Sequence, residues 1–128
     1  MIDLKLYWKG RDKTHPSDLT PAIIKNASDL LAKVNALLSL FGYPRGVNSG
    51  WRPKTVQMEI NPRAPNSKHV TGQAIDLEDR DGKLKEWCVF HQDQLERFGL
   101  YMEHPEDTPT WVHLQTVPPK SGKRIFKP

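Results

Sequence analysis

The stretch "SKHVTGQAID", Ser67 to Asp76, sets a histidine seven residues before an aspartate, with a glycine between them. A neutral imidazole and a carboxylate are ligands that hydrolytic zinc sites use. Together they bind Zn2+ and leave it net positive. The ion then lowers the pKa of a water toward about 7 and polarises a carbonyl. Such a site needs three protein ligands and one open position. His69 and Asp76 supply two, and Gly72 permits the turn that points both at one spot.

His113, in "TWVHLQ", is the candidate for the third ligand. Trp111, His113 and Gln115 share one face of a strand by the period-two rule. The other histidines are weaker choices. His91 lies on a helical apolar face, where a histidine is more often part of the core. His15 sits in a polar lead-in, and His104 abuts a loop, open to a role behind the ligands. With five histidines and fifteen acids in 128 residues, spacing alone leaves accidental pairs open.

The elements that must position these groups follow from periodicity and punctuation. Residues 1–19 read as a packed lead-in anchored by Tyr7 and Trp8. A helix is expected from Thr20 to Phe41, capped by Thr20, started by Pro21 and stopped by Gly42 and Pro44. Its stripe is Ile23, Ala27, Leu30, Leu31, Val34, Leu37, Leu38 and Phe41, and it reads as core. A short strand follows over Arg45 to Trp51. Residues 53–68, rich in Pro, Asn, Arg and Ser, read as a long irregular loop. Gln73 to Glu78 is a strand with Ile75 and Leu77 on one side and Ala74 and Asp76 on the other. "DRDGK" is a turn, and a second helix runs from Lys83 to Phe98, ended by Gly99. Strands over Leu100 to Glu103 and Thr110 to Thr116 complete the pattern. The tail cannot continue a central strand, because of Pro118 and Pro119. Two helices and several short strands without regular βαβ alternation predict an α+β fold with a small, mostly antiparallel sheet.

Composition bounds the rest. The length suits a single domain, residues 1–128, that can bury a core. One cysteine, Cys88, excludes an internal disulfide and a cysteine-rich structural zinc site. No segment approaches the roughly 20 apolar residues of a membrane span. The opening "MIDLKLYWKGRDK" has no apolar run of signal-peptide length, so synthesis in a cytoplasm without a signal peptide is the expectation. The formal charge of +4 and pI near 9.3 imply attraction to polyanions, whether nucleic acid, anionic membrane or bacterial wall. No recognition motif or basic-aromatic stripe supports a nucleic-acid binder.

"SKHVTGQAID" resembles the SxHxxGxAxD signature of the zinc D-alanyl-D-alanine carboxypeptidase and L-alanyl-D-glutamate endopeptidase family. That family includes phage endolysins and is related to the hedgehog signalling domain. "VNSGWRP", Val47 to Pro53, resembles its SG-aromatic-R segment. "WVHLQ", Trp111 to Gln115, resembles the segment supplying the last histidine. "GRDKTHPSDLTPAI" and "PPKSG" are similar to phage-encoded members, so the resemblance covers roughly the whole chain.

The resemblance implies a hedgehog-like fold, with two main helices on the sheet. It implies His69, Asp76 and His113 as zinc ligands and Arg52 as the group that binds a substrate carboxylate or carbonyl. A guanidinium offers a bidentate fork for that purpose. Ser67 either hydrogen-bonds within the site or shapes the turn. Many relatives place an acid three residues before the last histidine, but here that residue is Thr110, which takes no proton at neutral pH. Glu103 is the favoured general base, because it ends the strand expected to pair with that of His113. Asp107, six residues before His113, comes second, since some relatives carry an acid there. Glu106 reads as loop solvation.

The implied function is a zinc peptidase that hydrolyses peptidoglycan stem peptides through a zinc-activated water, as an endolysin-like endopeptidase or a D,D-carboxypeptidase. The expected protein is a monomer whose partners are stem peptides, not nucleic acid. A phage or prophage lysin of this kind acts on the bacterial wall and needs a holin or a virion to reach it. The alternative is a catalytically inactive zinc-binding domain of the same fold, motivated by Thr110.

Overall fold

The computed structural model describes residues 1–128. It begins with two short helices, α1 (Leu4–Trp8) and α2 (Arg11–Thr14), and a 3-10 turn at Pro16–Asp18. The lead-in is packed, as expected. The Tyr7 hydroxyl donates to the Ala74 carbonyl at 2.8 Å, and Trp8 stands edge-on to Trp51 at 5.7 Å.

The long helix α3 spans Pro21–Phe41. The Thr20 hydroxyl accepts from the Ile23 N–H, and Pro21 sits in the first turn, where an N–H has no helical partner anyway. Gly42, at φ +94°, closes the helix in the left-handed region. Ala27, Leu30, Leu31, Val34, Leu37 and Leu38 are buried along one stripe. Each buried leucine contributes about 1.5–3 kcal/mol by leaving water.

That stripe covers a five-stranded sheet. Its strands are β1 (Val47–Ser49), β2 (Ala74–Glu78), β3 (Tyr101–Glu103), β4 (Trp111–Gln115) and β5 (Ile125–Phe126). The spatial order is β1-β2-β4-β3-β5, antiparallel except for the β3–β5 pair. The fold is therefore α+β with a mostly antiparallel sheet. Ile75, Leu77, Met102, Val112 and Leu114 turn into the core with the α3 stripe and with Leu84, Cys88 and Leu95. Strand alternation sends Asp76 and His113 to the opposite face. No helix is long and apolar enough to cross a membrane.

Register then lines up one row across the sheet. Ser49 faces Asp76, Asp76 faces His113, and Glu103 faces Phe126. Tyr101 and Met102 pair with Gln115 and Leu114, so the next step of that ladder sets Glu103 opposite His113. Directly opposed residues share a face. One transverse row thus carries Ser49, Asp76, His113, Glu103 and Phe126.

Two expectations are corrected. Residues 53–68 are not wholly irregular, because Lys54–Ile60 forms a helix, α4. Its buried residue is polar, Gln57, while Met58 and Ile60 are exposed, so it has no apolar stripe to reveal it. The second helix is not continuous from 83 to 98. It divides into α5 (Lys83–Phe90) and α6 (Gln92–Arg97) at His91. The His91 ring stacks on Trp87 at 4.5 Å, and its Nδ1 lies 2.7 Å from the Trp87 carbonyl. That carbonyl is the one the His91 N–H would take in an unbroken helix; instead the N–H turns to Cys88. The tail does avoid the sheet centre, adding β5 only at an edge.

Candidate metal centre

His69 sits in a tight turn that leads into β2. Its amide donates to the Ser67 hydroxyl at 3.3 Å, and its carbonyl accepts from the Arg52 N–H at 3.1 Å. Gly72 completes the turn at φ +75°, where a Cβ would lie 2.9 Å from the Ile23 carbonyl oxygen. The imidazole Nδ1 is 2.8 Å from the Gly50 carbonyl, and Nε2 is 3.3 Å from Asp76 Oδ2. Gly50 is there for a steric reason. A Cβ at this position would lie 2.0 Å from the Tyr7 carbonyl oxygen.

His113 approaches the same carboxylate from the neighbouring strand. Its Nδ1 lies 2.8 Å from Asp76 Oδ1, and its Nε2 lies 2.8 Å from Gln115 Oε1. The two rings are 5.3 Å apart and tilted. One ligand atom from each of His69, Asp76 and His113 falls within 4.8 Å of the others, and the three could hold a metal ion.

The donor set itself fits a cation. Each imidazole faces two acceptors but, when neutral, carries a single N–H. If that N–H serves the outer partner, Gly50 or Gln115, then the inner nitrogen turns a lone pair toward Asp76. Burial pushes the His69 pKa below its ordinary value, against the pull of Asp76, so a second proton there is disfavoured. Burial also opposes protonation of His113, but its hydrogen bond to Asp76 and the Asp76 charge win, and its pKa rises. Burial alone would raise Asp76; the bonds and charges of both histidines outweigh it and hold the carboxyl well below the ordinary range. With both N–H groups turned outward, two lone pairs and an ionised carboxylate would converge on one point. A divalent ion removes the conflict, competing with the proton on His113.

Arg52 lies behind Asp76. Its guanidinium donates to Ser49 Oγ at 2.8 Å, Gln57 Oε1 at 3.0 Å and Asp76 Oδ2 at 3.4 Å. Gln57, nearly sealed from solvent, passes its own amide N–H to the Ala64 carbonyl at 2.9 Å. Ser49, Gly50, Gln57 and Gln115 are the neighbours that sequence reasoning did not assign. Ser49 and Gly50 lie inside "VNSGWRP" and Gln115 inside "WVHLQ", so those motifs flagged them. Gln57 carried no signal, because its helix has no apolar periodicity.

Among the acids, Glu103 is half-buried beside His113 in the same row. Burial raises its pKa, Asp76 and Asp107 add to that, and His113 opposes them. Asp107 and Glu106 belong to a 3-10 turn, Pro105–Asp107, and face Lys127 Nζ at 3.6 and 3.0 Å. Asp107 is thus tied to a lysine on the C-terminal segment. His15 bonds Thr14 Oγ1, and His104 Nδ1 accepts from the Glu106 N–H, so neither joins the cluster.

The α+β sheet thus carries, on the face away from the core, a His–Asp–His cluster that could hold a metal ion, a feature the class of metallopeptidases shares. A family model described as Peptidase M15 matches residues 6–115, and the chain belongs to that family. The match runs from α1 to the end of β4 and takes in all three clustered residues. No curated protein and no solved structure matches the chain significantly.

Proposed function

We propose that this chain is a zinc peptidase of the phage lysin type that hydrolyses peptidoglycan stem-peptide bonds, as an L-alanyl-D-glutamate endopeptidase or a D,D-carboxypeptidase. One observation carries the reading: Asp76, His113 and Glu103 follow one another across three adjacent strands, with His69 Nε2 folded onto Asp76.

His69, Asp76 and His113 would hold the ion. When bound, zinc supplies a Lewis acid that acidifies water and polarises the scissile carbonyl. Glu103 takes the proton of the attacking water and gives it to the leaving amine. A carboxyl with a raised pKa suits both halves of that task. Arg52 spends three N–H groups on Ser49, Gln57 and Asp76. A guanidinium has five, so the remaining ones are available to a substrate carboxylate or carbonyl. Ser67 shapes the His69 turn. The chain acts as a monomer on the bacterial wall, and its net charge of +4 suits that anionic surface.

The competing reading is a zinc domain without turnover, motivated by Thr110. The position of Glu103 beside His113 provides an acid that Thr110 lacks and favours catalysis. Digestion of purified peptidoglycan followed by mass spectrometry of the fragments, with and without a chelator, tests the proposal. New peptide termini that disappear with chelator are expected, and they identify the bond cut. Zinc-loaded protein that releases no fragment sinks the catalytic reading.

A further inference from the structure

The two imidazoles are held from behind by different kinds of acceptor. His69 leans on a backbone carbonyl, that of Gly50. His113 leans on a side chain, Gln115, two residues along its own strand. A glutamine amide has an accepting end and a donating end, so it can impose either state on a histidine unless something fixes its direction. Here the direction is fixed. Gln115 Nε2 lies 2.8 Å from the Val117 carbonyl, which only accepts. Oε1 is therefore the end turned to His113. That oxygen only accepts as well, so His113 Nε2 carries the hydrogen and a neutral ring keeps its lone pair on Nδ1, the nitrogen beside Asp76.

The chain reinforces this arrangement. Val117 precedes Pro118, and a residue before proline is restricted to extended conformations, which confines the direction of its carbonyl. Gln115 is only 7% exposed, so solvent has little access to replace either bond.

We infer that Gln115 is a positioning residue, a latch set by the Val117 carbonyl that makes His113 present Nδ1 to a metal ion. The inference rests on the reading that His69, Asp76 and His113 hold a metal. It predicts that the latch contributes to metal affinity directly, not only to turnover.

Zinc affinity, measured by chelator competition, tests it on the full chain. Gln115→Met has similar length but no acceptor, and its zinc binding should weaken by roughly 10- to 100-fold. Gln115→Glu keeps an acceptor toward His113 while losing the donor to Val117, and it should recover part of that loss. In the zinc-loaded wild type, NMR should show a hydrogen-bonded, slowly exchanging Nε2–H on His113, absent in Gln115→Met. The inference is overturned by a folded Gln115→Met that binds zinc as tightly as wild type, or by Gln115→Glu binding no tighter than Gln115→Met. Ligation of zinc through His113 Nε2 in the wild type also overturns it, and decides the matter should Gln115→Met fail to fold. Wild type that binds no zinc brings down the metal reading itself. Tight wild-type binding with an unchanged Met variant brings down only the role of Gln115.

Discussion

The candidate site is assembled from two regions built on different principles. On one side, Asp76, His113 and Glu103 stand on three adjacent strands, and backbone register alone sets them in a row. On the other side, His69 and Arg52 come from connecting segments and are placed by individual hydrogen bonds to Gly50, Ser49, Gln57 and Ser67. A strand ladder distributes positional error over many backbone bonds. A turn concentrates it in a few contacts. The strand side should therefore lose function without losing structure when one side chain changes. The turn side should lose both together.

The largest expected effect breaks both sides at once. His69→Ala and His113→Ala each remove one of the three proposed ligands, and the proposed hydrolysis of peptidoglycan should fall below detection. Zinc titration should show binding lost in both. The comparison predicts that His113→Ala keeps more of its thermal stability, since its strand remains paired while the His69 turn gives up its bond to Gly50.

Glu103→Gln is next. It should lower turnover by about 10²- to 10⁴-fold with zinc retained, as a strand-side change that leaves the structure intact. The same residue sets a pH dependence. A base works only when deprotonated, and burial raises the Glu103 pKa above the ordinary 4.5. Activity should therefore be lost as pH falls through a value higher than that of a free glutamate. A rate profile whose acid limb persists unchanged in the residual activity of Glu103→Gln would count against this assignment.

Gln57→Leu tests the turn side. It leaves Arg52 Nη1 and the Ala64 carbonyl without partners in a closed environment, at a cost of about 1–3 kcal/mol. Urea unfolding should report that loss together with a weaker grip on metal, because Arg52 no longer aims Asp76 firmly. Unchanged stability would show that the turn is held by something other than these contacts. The smallest effect is expected for Asp107→Asn. Asp107 faces Lys127 and acts on Glu103 only through charge. Removing that charge lowers the Glu103 pKa, so the acid limb should shift slightly downward with little change in the plateau rate.

The same contrast explains what was legible in the sequence. α3 announced itself through Thr20, Pro21, an apolar stripe and Gly42, because burial and capping leave marks at fixed spacing. β2 and β4 were visible through alternation, which already put Asp76 on the side away from Ile75 and Leu77 and His113 on a face with Trp111 and Gln115; only the register shows that these are one face. The preference for Glu103 over Asp107 followed from the expectation that its strand pairs with that of His113, and β3 does pair with β4. The turn side was less readable. α4 buries a glutamine instead of an apolar stripe, so periodicity could not find it. The break at His91 comes from a ring competing for a backbone carbonyl, which depends on a side-chain conformation and not on residue type. Gln115 was seen to share a face with His113, but its role depends on which end of its amide faces inward, and only the Val117 carbonyl reveals that.

Gly50 blurs a distinction that mutational surveys rely on. Its carbonyl orients His69, yet every amino acid has a carbonyl, so no substitution removes the contacting atom. What a substitution changes is the gap to Tyr7, already too small for a single carbon. A scan of variants would therefore score Gly50 as a folding position with no chemistry of its own. Selection acting on catalysis and selection acting on foldability would fall on the same codon, and the record of substitutions there could not tell them apart.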